Sequence, residues 1–498
     1  MSGLSDVKRV VGASGLYAAA AFAQKGLAFL LLPVYTRYIP PAEYGALELL
    51  NALSAVLFGV LLLGLPSAIT KCYHRDAESD EDKRTILGTA VLMDLPVLGL
   101  GVAALAFAGH WLGETLIGLP DSATMIRLML FSGLMQSLLT LALASFRARE
   151  KAAIYSALSL VQFVIAGLLN VTLVVVFELG VFGVLWGNLI AQGLLVPVAF
   201  FLARNQLRLV INRRLVRPML TFGTLLIPAM LAGWVTGLSD RWVLKAFRSL
   251  EEVAVYGVGY KVGMVLHMAV VWPFQLAWPA FSFSISRREG HEHTYATTLT
   301  WLCVVTTLGV LGLSLLARTL LPAMTAEGYD EAYRVVPPVA LAYALGGIHY
   351  CMATGVHLAK LTRYLPIFST IAAALNLGLN LIVVPRFGMM GATWSTVASF
   401  TFLAAATSIT SARFHPAPYE WGRLVRIAIA GGITYTLAVT LEPTAGLWLT
   451  SLWHLGMALL VFPALLGMMG FLRADEIATF VDAAKRLRNK DLPRGDQT

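Results

Sequence analysis

Apolar stretches of about twenty residues, separated by short polar or charged breaks, recur along the whole chain. At 1.5 Å per residue, each is long enough to cross about 30 Å of hydrocarbon as a helix. Their lengths and their charged, proline and glycine interruptions predict fourteen spans. They fall near residues 12–38, 43–69, 85–112, 124–146, 153–177, 181–203, 218–240, 252–284, 295–318, 335–358, 362–384, 389–412, 422–441 and 447–472. The first is too long for a signal-peptide core and precedes no convincing cleavage site, so it reads as a transmembrane helix. The fold class is therefore an all-α polytopic membrane protein, and an even number of spans puts both termini on one side.

Composition agrees with the pattern. Of 498 residues, 58% are hydrophobic and 13% charged, about half the charged fraction of a soluble chain. Under the assignment with a cytoplasmic N-terminus, 27 of the 37 lysines and arginines lie inside, eight lie outside and two, Lys25 and Lys261, lie within spans. This bias fixes the orientation. The net charge of +9 is then mostly topology, and nucleic-acid binding need not be invoked. Cys72, Cys303 and Cys351 follow no disulfide or metal-site spacing. The chain has no phosphate loop with its lysine, no H-E-x-x-H and no G-x-S-x-G. A secondary transporter without cofactor is favoured over an ATP-driven pump or a membrane enzyme.

Two stretches read G-x-x-G-x-x-W: Gly180, Gly183 and Trp186 are answered 208 residues later by Gly388, Gly391 and Trp394. Tyr44-Gly45 and Tyr256-Gly257, 212 apart, open the second and eighth spans. Spans one to six and seven to twelve thus form two copies of a six-helix unit. Because six is even, the copies share an orientation and face each other around a central cavity, a geometry suited to alternating access. The division is an N-terminal lobe 1–203, an amphipathic cytoplasmic connection 204–217, a second lobe 218–412, two extra helices over 413–472 and an amphipathic cytoplasmic tail 473–498. In the connection, Leu207, Ile211 and Leu215 recur every four residues among five arginines, as in a segment lying on the inner leaflet.

Charges inside spans each cost about 2.5 to 3.5 kcal/mol on insertion scales, so they tend to face a cavity or a partner. Lys25 and Lys261 reach similar depths from the outer face, one in each lobe, and suggest a shared cationic cavity. Ser14, Ala18, Ala21, Lys25 and Ala28 make one narrow face of small residues; the alternative for Lys25 is snorkelling to the interface. Arg37, Arg241 and Lys245 sit at the outer ends of spans one and seven, where they either line the cavity mouth or anchor the interface. Asp94 near mid-membrane and Asp240 beside Arg241 either form structural ion pairs or couple ion flow. Gln136, Gln162, Asn170, Asn188 and Gln192 read as interhelical hydrogen-bond partners before substrate contacts. Trp234, Trp272 and Trp278 read as interface or packing residues.

The stretches "LPVYTRYIPPAEYG" (32–45) and "LNLGLNLIVVPRFGMMGATWSTVASF" (375–400) resemble the signatures of a known family. This is the polysaccharide transporter branch of the multidrug/oligosaccharidyl-lipid/polysaccharide (MOP) exporter superfamily. The resemblance covers about residues 10–472 and departs from the common pattern at Thr393-Trp394. It implies a Wzx-type flippase that moves polyprenyl-diphosphate-linked oligosaccharide across the bacterial inner membrane. It also implies partners among polysaccharide polymerases, chain-length machinery and glycosyltransferases. A lipid II flippase has the same class of spans and cavity. A cation-coupled drug exporter of the superfamily would need intramembrane acids where basic residues dominate here.

Overall fold

A computed structural model describes residues 31–443, 446–473 and 476. Helices begin where the sequence supplies their caps. Pro41 sits in the first turn of its helix beside Glu43. Ser79 accepts from the Asp82 N–H ahead of the acidic run Asp80–Asp82, and Ser249 accepts from the Glu252 N–H. Such groups satisfy the orphan amides of a helix start and complement its dipole. In chain order the helices are α1 (Leu32–Tyr38), α2 (Pro41–Leu61), α3 (Leu65–Lys71), α4 (Asp80–Phe107), α5 (Gly109–Leu116), α6 (Ser122–Ala148), α7 (Ala152–Val171) and α8 (Gly180–Ala203). They continue as α9 (Arg213–Thr224), α10 (Ile227–Leu238), α11 (Asp240–Phe247), α12 (Leu250–Gly263), α13 (Trp272–Ile285), α14 (His291–Met324), α15 (Val336–Leu358), α16 (Tyr364–Phe414), α17 (Trp421–Thr440), α18 (Leu447–Gly456) and α19 (Phe462–Met468). The described residues contain no strand.

Twelve helical stretches among the described residues are long and apolar enough to cross a membrane, which makes this a multi-pass membrane protein. One of them, α16, runs 51 residues, but Gly388 (φ 54°, ψ −135°) breaks it, and the two sides of the break are the spans read at 362–384 and 389–412. Of the expected first span, only the end at α1 is described. Lys25 with its small-residue face, and the amphipathic tail apart from Arg473 and Glu476, lie outside the described residues.

The fold subdivides by packing. Helices α6, α7 and α8 pack on one another, with α4 against α6; α14, α15 and α16 form a second set, with α10 and α11 against α16. The two sets meet chiefly where α2 crosses α12. The backbone shows a repeat in detail. Gly180 and Gly388 both have positive φ. Just after each, a glutamate from the distant helix accepts an amide, Glu43 from Val181 at 3.0 Å and Glu252 from Met389 at 2.6 Å. A helix start offers such free amides to a carboxylate. Glu43 and Glu252 are 209 residues apart, so the pairing of Tyr44-Gly45 with Tyr256-Gly257 is about one helical turn out of register: Gly257 answers Glu48.

The connection between the two sets differs from an amphipathic helix. Residues 207–212 are extended and strapped onto the start of α4, because that helix offers side-chain and carbonyl partners. Arg208 N–H donates to the Arg84 carbonyl at 3.0 Å, Thr89 donates to the Val210 carbonyl at 3.1 Å, and the Asn212 N–H returns to Thr89 Oγ1 at 3.0 Å. Leu209, Val210 and Ile211 remain exposed, as fits a segment at a lipid interface. Asn212 ties the strap off: its amide donates to Asp82 at 2.7 Å and Thr85 at 3.2 Å, while its oxygen caps α9 at Arg214. Asn212→Ala should lose about 1 kcal/mol of local stability. Trypsin added to inside-out vesicles is expected to cut at Arg208 and Arg213 roughly fivefold faster; an unchanged rate would mean that the strap is held elsewhere.

Candidate functional site

Where α2 crosses α12, the helices carry acid and base toward each other. Glu48 lies about 10 Å along α2 from Pro41, and Lys261 about 16 Å along α12 from Leu250, at 1.5 Å per residue. Glycines permit the approach. A Cβ on Gly45 would overlap the Leu250 carbonyl, and one on Gly257 would meet the Glu48 side chain. Lys261 donates to Glu48 Oε1 at 2.5 Å and to the Tyr44 hydroxyl at 2.8 Å, and its ammonium lies 4.9 Å from the Tyr44 ring centre.

The other Glu48 oxygen accepts from Arg241 Nε at 3.3 Å, and Arg241 Nη1 donates to Asp240 Oδ1 at 3.1 Å and to the Gly237 carbonyl at 3.1 Å. Tyr256 donates to the remaining oxygen of Asp240. Tyr260 lies under the guanidinium at 4.7 Å. Two acids and two bases thus neutralise one another across the α2–α12 contact. Glu48, Asp240 and Arg241 are at most 4% accessible, and Lys261 is 38% accessible. The cluster therefore has one end open, and that end is the lysine.

Lys261 opens on a cavity of about 590 Å³. On its own side are Tyr35 of α1, Tyr44 of α2 and the methionines Met264 and Met268; the facing wall comes from α6, α7 and α8. That wall is neutral and polar, bearing Gln136, Gln162, Asn170, Asn188 and Gln192. The amides bridge the helices. Gln162 donates to Gln136 Oε1 at 2.5 Å, the Gln192 amide lies 3.1 Å from the same oxygen and 2.6 Å from the Ser132 hydroxyl, and the Asn170 amide lies 3.2 Å from the Tyr35 hydroxyl and 3.3 Å from the Asn188 amide. A cavity of this volume with one cation, phenols and carboxamides can take an anionic group joined to a polar, uncharged one.

Of the residues singled out from sequence, the structure brings Arg241, Asp240 and Lys261 together. Arg37 is exposed and Lys245 half-buried; neither is among the described residues lining this cavity. Arg241 lies beneath the surface in the ion cluster, and Asp240 is committed to Arg241 and Tyr256. Asp94 is fully buried in α4, and neither of its oxygens finds a hydrogen-bond partner among the described residues. The tryptophans pack: Trp278 donates to Thr354 and Trp234 to the Ala52 carbonyl, each at 2.7 Å. Glu48 is the residue that sequence reasoning missed. An acid seven residues into an apolar span is itself a signal, masked by the nearness of the span's polar start.

With this geometry the comparisons with known proteins agree. Residues 12–285 match the family described as polysaccharide biosynthesis protein, over half of the chain. No curated protein matches the sequence. Among solved structures, a lipid II flippase, MurJ, in an inward closed conformation superposes with a TM-score of 0.73 at 12% identity, covering 91% of this chain and 98% of that one. An inward-facing multidrug resistance MATE family transporter of the MOP superfamily gives 0.67 at 12% identity, covering 79% and 94%. The Vibrio cholerae MATE transporter VcmN in its bent form gives 0.54 at 16% identity, covering 82% and 98%. These likenesses are of fold. The family rests on the sequence match, and the chain belongs to the polysaccharide biosynthesis protein family, with a fold similar to that of these transporters.

Proposed function

We propose that this protein is a flippase that carries polyprenyl-diphosphate-linked oligosaccharide units from the inner to the outer leaflet of the bacterial inner membrane, with both termini cytoplasmic. The observation that carries the reading is Lys261, the one accessible member of the ion cluster, set on a cavity whose facing wall is uncharged and polar. A sugar head and two phosphates cannot cross hydrocarbon unaided, whereas a polyprenyl tail can stay in lipid. The lysine suits the diphosphate and the polar wall the glycan. The fold likeness to a lipid II flippase, whose name pairs a lipid with flipping, supports a lipid-linked substrate.

Units 1–203 and 218–412 are the two rocking bodies of alternating access in this reading, joined by the connection 204–217 that contains the strap; 413–472 adds two helices, and 473–498 a tail on the membrane. Glu48 holds Lys261 until the diphosphate competes for it, with Lys25, Arg37 and Lys245 drawing the anion along the path. An anion leaving a negative interior gains about 2.3 kcal/mol per charge per 100 mV. Asp94, buried without a hydrogen-bond partner among the described residues, is the proposed carrier of a coupled proton, and Asp240 is left to structure. Polymerase and chain-length proteins are the proposed partners, receiving the flipped unit.

Cells whose own copy is replaced by Lys261→Ala, at matched membrane levels, are expected to lose at least nine-tenths of their surface polymer and to accumulate lipid-linked oligosaccharide on the inner leaflet. Asp94→Asn is expected to remove the dependence of the residual rate on a pH gradient. Normal polymer and no accumulation from well-expressed Lys261→Ala would take the lysine out of the path and the flippase reading with it.

A further inference from the structure

The carboxamide wall is more than the fold requires. By the register of Gly180 with Gly388, Asn188 answers Thr396 and Gln192 answers Phe400; in the second half α16 keeps only the carboxamides Asn376 and Asn380, which are fully buried and bonded to each other and to Thr396. That half has a cavity of its own, about 810 Å³, walled chiefly by apolar side chains such as Val310, Leu341 and Trp394 and by neither of these asparagines. Carboxamides are costly in an apolar bundle. In the first half they come from three helices and converge on one cavity, opposite Lys261.

Their hydrogen bonding is also incomplete in a particular way. A carboxamide has two N–H donors and a carbonyl that accepts. Gln162 spends one N–H on Gln136, and among the described residues its second N–H and its carbonyl have no hydrogen bond. Donors and acceptors side by side, without charge, match the hydroxyl and acetamido groups of a sugar. They do not match a second anion, which would want cations, or an apolar chain, which would leave them unpaired.

We propose that Gln136, Gln162, Gln192, Asn170 and Asn188 form a glycan-recognition wall, which reads the uncharged sugars next to the diphosphate while Lys261 holds the diphosphate itself. This rests on the flippase reading and divides its substrate between the two halves of the molecule: charge is read by α12, sugar by α6, α7 and α8. A site built to hydrogen-bond hydroxyls discriminates strongly against ligands that lack them, because its own polar groups are then left unpaired. The wall therefore selects lipid-linked glycans over the bare lipid diphosphate.

The test uses the purified full chain in detergent and three soluble probes: geranyl diphosphate, geranyl diphospho-N-acetylglucosamine and geranyl diphospho-galactose, with affinities from calorimetry. At least one sugar-bearing probe is expected to bind about tenfold more tightly than geranyl diphosphate. The double variant Gln162→Leu with Gln192→Leu should erase that advantage and leave the affinity for geranyl diphosphate within twofold. Asn188→Ala makes the same comparison with a smaller change should the double variant not fold. Lys261→Ala should weaken all three probes alike. Equal binding of all probes by the wild-type chain, or a sugar advantage untouched in Gln162→Leu with Gln192→Leu and in Asn188→Ala, would overturn the glycan wall while leaving the diphosphate reading intact. No binding of geranyl diphosphate would overturn the flippase reading, and the wall with it.

Discussion

Gly45→Val is expected to reduce flipping in reconstituted vesicles to below a tenth of the wild-type rate, with normal amounts of protein in the membrane. The cause is local. A Cβ at position 45 overlaps the Leu250 carbonyl, and a backbone carbonyl at a helix start cannot swing aside as a side chain can. The whole of α2 must back away from α12 until that Cβ, which would stand 1.9 Å from the oxygen, reaches contact distance, a retreat of roughly 1.5 to 2 Å. Glu48 then leaves both Lys261 and Arg241, whose bonds to it are 2.5 and 3.3 Å, and the acid–base cluster opens. In the proposed orientation this end of the helices faces outside, so the variant should be trapped with its outer side ajar. Spin labels at Tyr38 and Phe247, exposed residues just ahead of α2 and α12, should move apart by a similar distance. Wild-type flipping with an unchanged label distance would mean that the α2–α12 contact is absent from the working cycle.

That contact also marks how far the sequence could be read. The spans are legible because hydropathy and length are local properties, and the break inside α16 is legible because Gly388 lies in a motif that repeats Gly180. The partners of those glycines are not. Glu43 reaches Val181 across 138 residues and Glu252 reaches Met389 across 137, and the spacing of the glycines alone does not reveal which carboxylate caps each helix. The tyrosine-glycine pairs misled by one turn for the same reason: they look alike but do not occupy equivalent places. Lys261 is conspicuous as a charge within a span. Its partner Glu48 is 213 residues away, and only the tertiary crossing shows that the lysine's charge is balanced and its exposed end is turned to a cavity. The linker went the other way. Its four-residue spacing of Leu207, Ile211 and Leu215 suits a helix, yet Thr89 and the Arg84 carbonyl compete successfully for its backbone.

Arg241 gives the second large effect, and it is one of stability. The guanidinium is 3% exposed and serves both Glu48 and Asp240 while packing on Tyr260. Arg241→Met keeps much of the volume but strands the buried Asp240 carboxylate and leaves Glu48 to Lys261 alone. Removing one partner of a buried ionic group costs about 3 to 5 kcal/mol, because the charge left behind has lost its compensation. In a cooperative unit of 150–250 residues that corresponds to a fall of about 10 °C in melting temperature, to be read by thermal unfolding of the purified protein. Arg241→Lys should recover little of it, since an ammonium cannot bond Glu48, Asp240 and the Gly237 carbonyl through a planar fork. Neutralising the acids instead separates charge from shape: Arg241→Met combined with Glu48→Gln and Asp240→Asn no longer strands a carboxylate, and should regain at least half of the lost melting temperature. That triple variant nevertheless lacks the acid that holds Lys261 in place, so it should bind geranyl diphosphate more tightly than wild type while flipping poorly. A melting temperature for Arg241→Met within 2 °C of wild type would show that the cluster is solvated in the native protein, and the account of Arg241 as a buried counter-ion would fall.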